Sequence, residues 1–122
     1  MEPNPFPENI LIKKGEYRDV NQAREDINCD IVYSMGITGK GVGVAVLDTG
    51  VYLHEDFKDR VTAFADYVNH RTQPYDDNGH GTHISAIIGG SGVSSEGKYR
   101  GVAPGSSIIS VKVLDHKGNG YA

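Results

Sequence analysis

The sequence predicts an α/β domain built on a parallel sheet with flanking helices, and three observations carry that prediction. Three short, mostly apolar runs, at residues 44–47, 61–68 and 108–114, read as strands, and the first lacks the polar alternation of a sheet with one wet face. A helical segment separates the second run from the third, the order expected of a parallel arrangement. Glycine supplies 16 of the 122 residues, nearly twice its ordinary share of ~7%, and the glycines gather beside these runs, where turns and close approaches belong.

In chain order, Pro3, Pro5 and Pro7 favour an extended lead, so residues 1–9 read as an arm. Ile10-Leu11-Ile12 is a short apolar run. From Asn21 to Met35, the spacing of Ala23, Ile27, Ile31, Val32 and Met35 predicts one or two short helices with an apolar face. Gly36, Gly39, Gly41 and Gly43 end that pattern before Val44-Ala45-Val46-Leu47, which reads as a strand covered on both faces. Val61 to Val68 is the second strand, and Asp76-Asp77-Asn78-Gly79 is a polar turn. Ile84 to Ile88 is a short buried helix stopped by Gly89-Gly90, and a glycine- and serine-rich loop leads on to the third strand, Ile108 to Leu114.

A chain of 122 residues is one domain's worth and can bury roughly two thirds of its unfolded surface. Its net charge is −4 and no Lys/Arg cluster exceeds Lys13-Lys14, so the electrostatic footprint of a nucleic-acid binder is missing. The single cysteine, Cys29, excludes an intrachain disulfide and a thiolate zinc site and points to a reducing compartment. Met1 to Pro5 has neither the basic stretch nor the apolar run of a secretory signal. No run approaches the ~20 apolar residues of a membrane span. These features set the expectation of a cytoplasmic protein without a membrane or nucleic-acid partner.

Asp48-Thr49-Gly50 puts an ionisable residue at the carboxyl end of a strand, where open α/β sheets place ligands and catalytic groups. An aspartate capping a turn fits the triplet equally well. Asn78-Gly79-His80-Gly81-Thr82-His83 opens a helix. Glycines on both sides of His80 let another backbone come close, and a helix amino end disfavours imidazolium, which suits a neutral base. His80 and His83 as metal ligands would need a third ligand, and none is identifiable. Gly101-Val102-Ala103-Pro104-Gly105 alone is a turn into a strand.

Taken in order, Val46-Leu47-Asp48-Thr49-Gly50, Gly79-His80-Gly81-Thr82-His83, Gly101-Val102-Ala103-Pro104 and Val111-Lys112-Val113-Leu114 resemble the subtilisin-like serine proteases, the subtilases. The resemblance implies an amino-terminal arm over residues 1–30 and the amino-terminal portion of a subtilase catalytic domain over 31–122, incomplete because the carboxyl-terminal part is absent. It implies a serine endopeptidase in which Asp48 orients His80 and His80 is the general base, then the general acid. His83 would pack on the helix. Leu114 would line a substrate pocket, and Gly118-Asn119-Gly120 would form a rim strand that pairs with an extended polypeptide substrate. The third strand would insert between the first two, with a left-handed crossover, against the usual rule.

The family's Gly-Thr-Ser nucleophile motif and oxyanion asparagine do not occur among these residues, so this chain would supply Asp and His only. It would be inactive alone, its partner being a carboxyl-terminal complement that carries the serine. Asp56 resembles a family calcium ligand, but the facing segment 92–99 has few oxygen-bearing side chains and includes Lys98. Calcium takes six to eight oxygens, so no cofactor is expected beyond a structural calcium at that place. A short apolar strand after a proline-rich lead, Ile10-Leu11-Ile12 would act as an inhibitory arm, lying along Gly118-Asn119-Gly120 by strand addition with Pro5 or Pro7 at the cleft.

Two other readings compete. A non-catalytic fragment or an inactive subtilase used for binding would carry the same motifs. Asp48-Thr49-Gly50 with Ile87-Ile88-Gly89 also matches retroviral-type aspartic proteases, but those are all-β dimers with no use for the His80 motif. Gly39-Lys40-Gly41-Val42-Gly43 precedes its strand, the wrong side for a phosphate loop.

Overall fold

The computed structural model describes residues 24–121. The proline-rich arm and Ile10-Leu11-Ile12 lie outside them. Helix α1 (Cys29–Ser34) precedes strand β1 (Gly43–Asp48); strand β2 (Val61–Asp66), helix α2 (His80–Gly89) and strand β3 (Ser107–Lys112) follow. Strand β3 pairs in parallel with both β1 and β2, so the sheet order is β1-β3-β2. The third strand is therefore the central one, as expected, and a parallel sheet with helices rules out the all-β aspartic protease reading.

Each strand stops for a visible reason. Asp66 ends β2 because its carboxylate turns back to accept the N–H groups of Val68, Asn69 and Arg71 at 2.9–3.1 Å. This is the side-chain capture that makes aspartate a turn former, and it cuts the strand two residues short of Val68. β3 ends at Lys112 because the next two N–H groups, of Val113 and Leu114, both donate to the Asp48 carbonyl, which brings the ladder to a close at Asp48.

The sheet is covered on one face only, which corrects the expectation for Val44 to Leu47. Helix α2 packs on β1 and β3, burying Val46, Asp48, Ile108, Ser110 and Lys112, while Leu47 on the opposite face is 61% exposed and Ala45 is also exposed. The apolar run is continuous because the second face is itself apolar, exposed at Ala45 and Leu47 on β1 and half-buried at Ile109 and Val111 on β3. Helix α2 also differs from expectation. Its small residues Gly81, Thr82, Ser85 and Gly89 are the buried ones, and Ile84, Ile87 and Ile88 are half-buried. A Cβ on Gly89 would stand 3.0 Å from Ser106 Oγ and 3.2 Å from Ile108 Cδ1, so the helix sits too close to the sheet for larger side chains between them.

Of the apolar face assigned to residues 21–35, Ala23 lies outside the described residues, Ile27, Ile31, Val32 and Met35 are exposed, and Cys29 alone of α1 is buried. Helix α1 is held by polar contacts instead. The Tyr33 hydroxyl lies 2.6 Å from the Gly101 carbonyl and 2.9 Å from that of Val102, and burial, then the Cys29 thiol, raise its pKa above the ordinary phenol value. No helix among the described residues is long and apolar enough to cross a membrane.

Candidate active site

The last residue of β1 and the first residue of α2 meet. His80 Nδ1 lies 2.8 Å from Asp48 Oδ1 and 2.9 Å from Oδ2, and Oδ1 also accepts the Thr49 N–H at 2.7 Å. The carboxylate is largely covered, whereas the imidazole is 56% exposed. A carboxylate only accepts, so Nδ1 carries the proton and the lone pair of the neutral ring lies on Nε2. Gly79, at φ +104°, turns the chain into the helix, and the Asn78 side chain accepts the His80 N–H at 3.1 Å.

Behind this pair stands a half-buried carboxylate that sequence reasoning took for part of a polar turn. Asp76 Oδ1 accepts from the Thr49 hydroxyl and from the Asn78 and Gly79 N–H groups at 2.7–3.1 Å. Its Oδ2 accepts from both the N–H and the hydroxyl of Thr82, at 2.9 and 2.5 Å. The Thr49 hydroxyl oxygen in turn accepts the Gly81 N–H at 2.9 Å, and that of Thr82 accepts the Tyr52 N–H. Burial pushes the Asp76 carboxyl upward, but the Thr82 hydroxyl and the surrounding N–H groups outweigh it and hold the group below the usual carboxylate range. Asp76 thus joins the segment after Asp48 to the first turn of the His80 helix. The two threonines inside the recognised motifs were the available signal, since a threonine beside a turn aspartate is a ready hydroxyl donor.

Lys112, read in sequence as part of the third strand and of the fourth motif, has no exposed surface. Its ammonium donates to the Thr49 carbonyl, to Asp77 Oδ1 and to the Leu114 carbonyl at 2.7–2.8 Å and lies 5.3 Å from the centre of the Tyr75 ring. A lysine within the otherwise apolar run from Ile108 to Leu114 was its signal, because a buried charge demands partners.

A cleft of about 370 Å³ opens beside the imidazole, lined by Thr49, Asn78, His80, Leu114, Lys117 and Gly118. Of the expected substrate-binding residues, Leu114 and Gly118 reach this cleft, while Asn119 and Gly120 do not line it. Nor is Gly118-Asn119-Gly120 a strand. Asp115 folds residues 115–119 into a turn, its carboxylate accepting from Lys117 N–H and Asn119 N–H at 2.9 Å and its own N–H donating to the Asn119 carbonyl. Gly118, at φ +82°, accommodates that turn. His83 stands one turn along α2, its N–H bonded to the Gly79 carbonyl, and is half-buried. Among the described residues no hydroxyl or thiol is hydrogen-bonded to the His80 ring.

Asp56 is engaged without an ion. Its Oδ1 accepts the Ser94 N–H at 2.9 Å, and its carbonyl accepts from Ser91 N–H and the Arg60 guanidinium. No group of three His, Cys, Asp or Glu stands together among the described residues.

Residues 39–122 match the subtilase family. Over 84 residues the chain is 57% identical to serine protease AprX of Bacillus subtilis, covering 69% of this chain and 19% of that protein. It is 37% identical to subtilisin Savinase of Lederbergia lenta over 94 residues, 77% of this chain and 34% of that one. A cold-adapted subtilisin-like serine proteinase of known structure superimposes with a TM-score of 0.60 at 40% identity, over 70% of this chain and 29% of that chain. The chain thus spans a fifth to a third of the length of these relatives. With the Asp48 motif, the His80 motif and the β1-β3-β2 sheet all inside the matched region, this chain belongs to the subtilase family of serine proteases.

Proposed function

We propose that this chain supplies the aspartate and histidine of a serine endopeptidase whose nucleophile comes from the remainder of the complete protein. The observation that carries the reading is the approach of both Asp48 oxygens to His80 Nδ1, which leaves Nε2 as the basic atom beside an open cleft. In the whole enzyme, Nε2 takes the serine hydroxyl proton as the oxygen attacks the substrate carbonyl carbon. It then returns that proton to the amine as the C–N bond breaks, leaving an acyl-enzyme, and in the second half it activates water in the same way. Asp48 holds the tautomer and stabilises the transient imidazolium. Leu114 and Gly118 form the wall that an approaching polypeptide meets. The chain by itself, holding a base and no activated hydroxyl, is inactive.

Asp48→Asn in the complete protein tests the reading. An amide can donate to Nδ1 and hold the ring in the wrong tautomer, so turnover falls by a factor on the order of 10⁴, the size known for the same change in a serine protease of unrelated fold. Unchanged turnover in a folded variant excludes the assignment.

A further inference from the structure

Lys40, Lys58, Lys98 and Lys117 are exposed, as lysines ordinarily are, whereas Lys112 is wholly buried. Burial of an ammonium is costly unless every donor is met. Here the three hydrogen bonds to Thr49 O, Asp77 Oδ1 and Leu114 O use all three donors of one nitrogen.

Those acceptors belong to three separate stretches of chain. Thr49 follows Asp48 and also gives its N–H to the Asp48 carboxylate. Asp77 lies in the loop entering α2, next to Asn78, which accepts the His80 N–H. Leu114 begins the segment that walls the cleft. In the sheet, Lys112 lies in register between Asp48 on one side and Asp66 on the other, yet its ammonium bonds neither carboxylate, reaching past them to the loops. An apolar residue would fill this strand position at lower cost. The charge is explained if it sets a distance between loops, because one small nitrogen fixes all three acceptors relative to one another.

We propose that Lys112 is a positioning residue: it fixes the cleft wall at Leu114 against the Asp48–His80 pair, so that an extended polypeptide presents its carbonyl to the reacting groups. The proposal rests on the acid–base reading of Asp48 and His80 given above. Its consequence is selective. Substrates long enough to lie along residues 114–120 depend on the clamp, and a single-residue ester does not.

The test compares Lys112→Met, Lys112→Arg and Asp77→Asn in the complete enzyme, using a tetrapeptide amide and a single-residue ester, with thermal unfolding followed alongside. Lys112→Met should lower kcat/KM for the tetrapeptide on the order of 10²-fold, the scale of a misplacement of about 1 Å, while the ester loses far less. Lys112→Arg should not restore the tetrapeptide rate, since a planar fork cannot converge its donors on acceptors arranged around one point. Asp77→Asn keeps an acceptor without the charge and should shift the ratio of the two substrates in the same direction, by less. A folded Lys112→Met protein whose tetrapeptide-to-ester ratio stays within about twofold of the parent overturns the proposal. If Lys112→Met does not fold, an unchanged ratio in Asp77→Asn overturns it. Asp48→Asn separates the two readings: survival of both activities in that variant defeats the acid–base assignment, whereas loss of both, with no ratio change in the Lys112 and Asp77 variants, defeats the Lys112 proposal alone.

Discussion

A Cβ atom on Gly81 would stand 2.2 Å from the carbonyl oxygen of Gly50. The glycine after His80 and the glycine two residues past Asp48 are therefore in backbone contact, and this contact brings strand end and helix start close enough for their side chains to pair. Gly50 is constrained independently: its φ is +117°, and a Cβ there would meet the Tyr75 carbonyl oxygen at 2.1 Å. Gly81→Ala must push the two segments apart, at a cost of about 1–3 kcal/mol, and must loosen the Asp48–His80 hydrogen bond. Denaturant unfolding should show the first effect. A His80 Nδ1 proton resonance shifted toward that of an unpaired ring should show the second. Gly36→Ala is the control, since a Cβ there meets nothing within 4 Å and only its positive φ penalises the change, by about 1–2 kcal/mol.

Asp76 and Asp66 predict the acid limb of the stability curve. At Asp66, burial pushes the carboxyl upward, but the Tyr75 hydroxyl and the N–H groups of Asn69, Val68 and Arg71 pull it well below the usual range. Asp76 is lowered in the same sense. Groups depressed in the folded state stabilise it fully above the unfolded pKa, and that stability drains away as pH falls toward the folded values. Stability of the complete protein should be flat above about pH 5 and decline below about pH 4. Asp76→Asn should lower the plateau and flatten the decline. An acid limb of unchanged slope in that variant would show that Asp76 is not a source of it.

Tyr75→Phe tests the other half of the Asp66 contact. The phenol hydroxyl donates to Asp66 Oδ2 at 2.5 Å, and its own pKa is raised, by burial and then by that bond. Loss of a hydrogen bond to a charged group costs about 1.5–3 kcal/mol. The variant should unfold at lower denaturant with an unchanged m-value, and its acid limb, still beginning near the unfolded carboxyl pKa, should be shallower and level off at a higher pH.

The two histidines of α2 should separate cleanly. His80→Ala in the complete protein should abolish peptide hydrolysis with the fold kept, whereas His83→Ala, one turn further on and away from the Asp48 carboxylate, should act through stability and leave kcat near the parent value. Circular dichroism melting beside Michaelis kinetics distinguishes these outcomes. The opposite pattern would assign the base to His83.

The open sheet face makes a prediction about the 122-residue chain alone. Leu47, exposed on an edge strand, stands beside half-buried Val111 and Ala65 in the register of the ladder, and apolar edges of this kind associate. The isolated chain should bind a hydrophobic dye and sediment as a mass that rises with concentration, and Leu47→Glu should reduce both. A monodisperse parent chain with no dye binding would contradict it.

The sequence alone determined the local features: which runs become strands, that Asp48 closes one and His80 opens a helix, and the family the ordered motifs resemble. Apolar runs, turn chemistry and glycine placement are properties of neighbouring residues, so they can be read along the chain. Tertiary structure decided the rest. Which face of β1 is covered depends on where α2 lies, and α2 lies close because its buried stripe is Gly81, Thr82, Ser85 and Gly89, not the run from Ile84 to Ile88 that was expected to be buried. Residues 118–120 are no strand because Asp115 captures Lys117 and Asn119 N–H groups first. Asp76 and Lys112 acquire their roles from partners distant in sequence, Thr49 and Thr82 for the one, Thr49 and Asp77 for the other. A buried charge is recognisable in sequence only as an anomaly, because the groups that satisfy it are chosen by the fold.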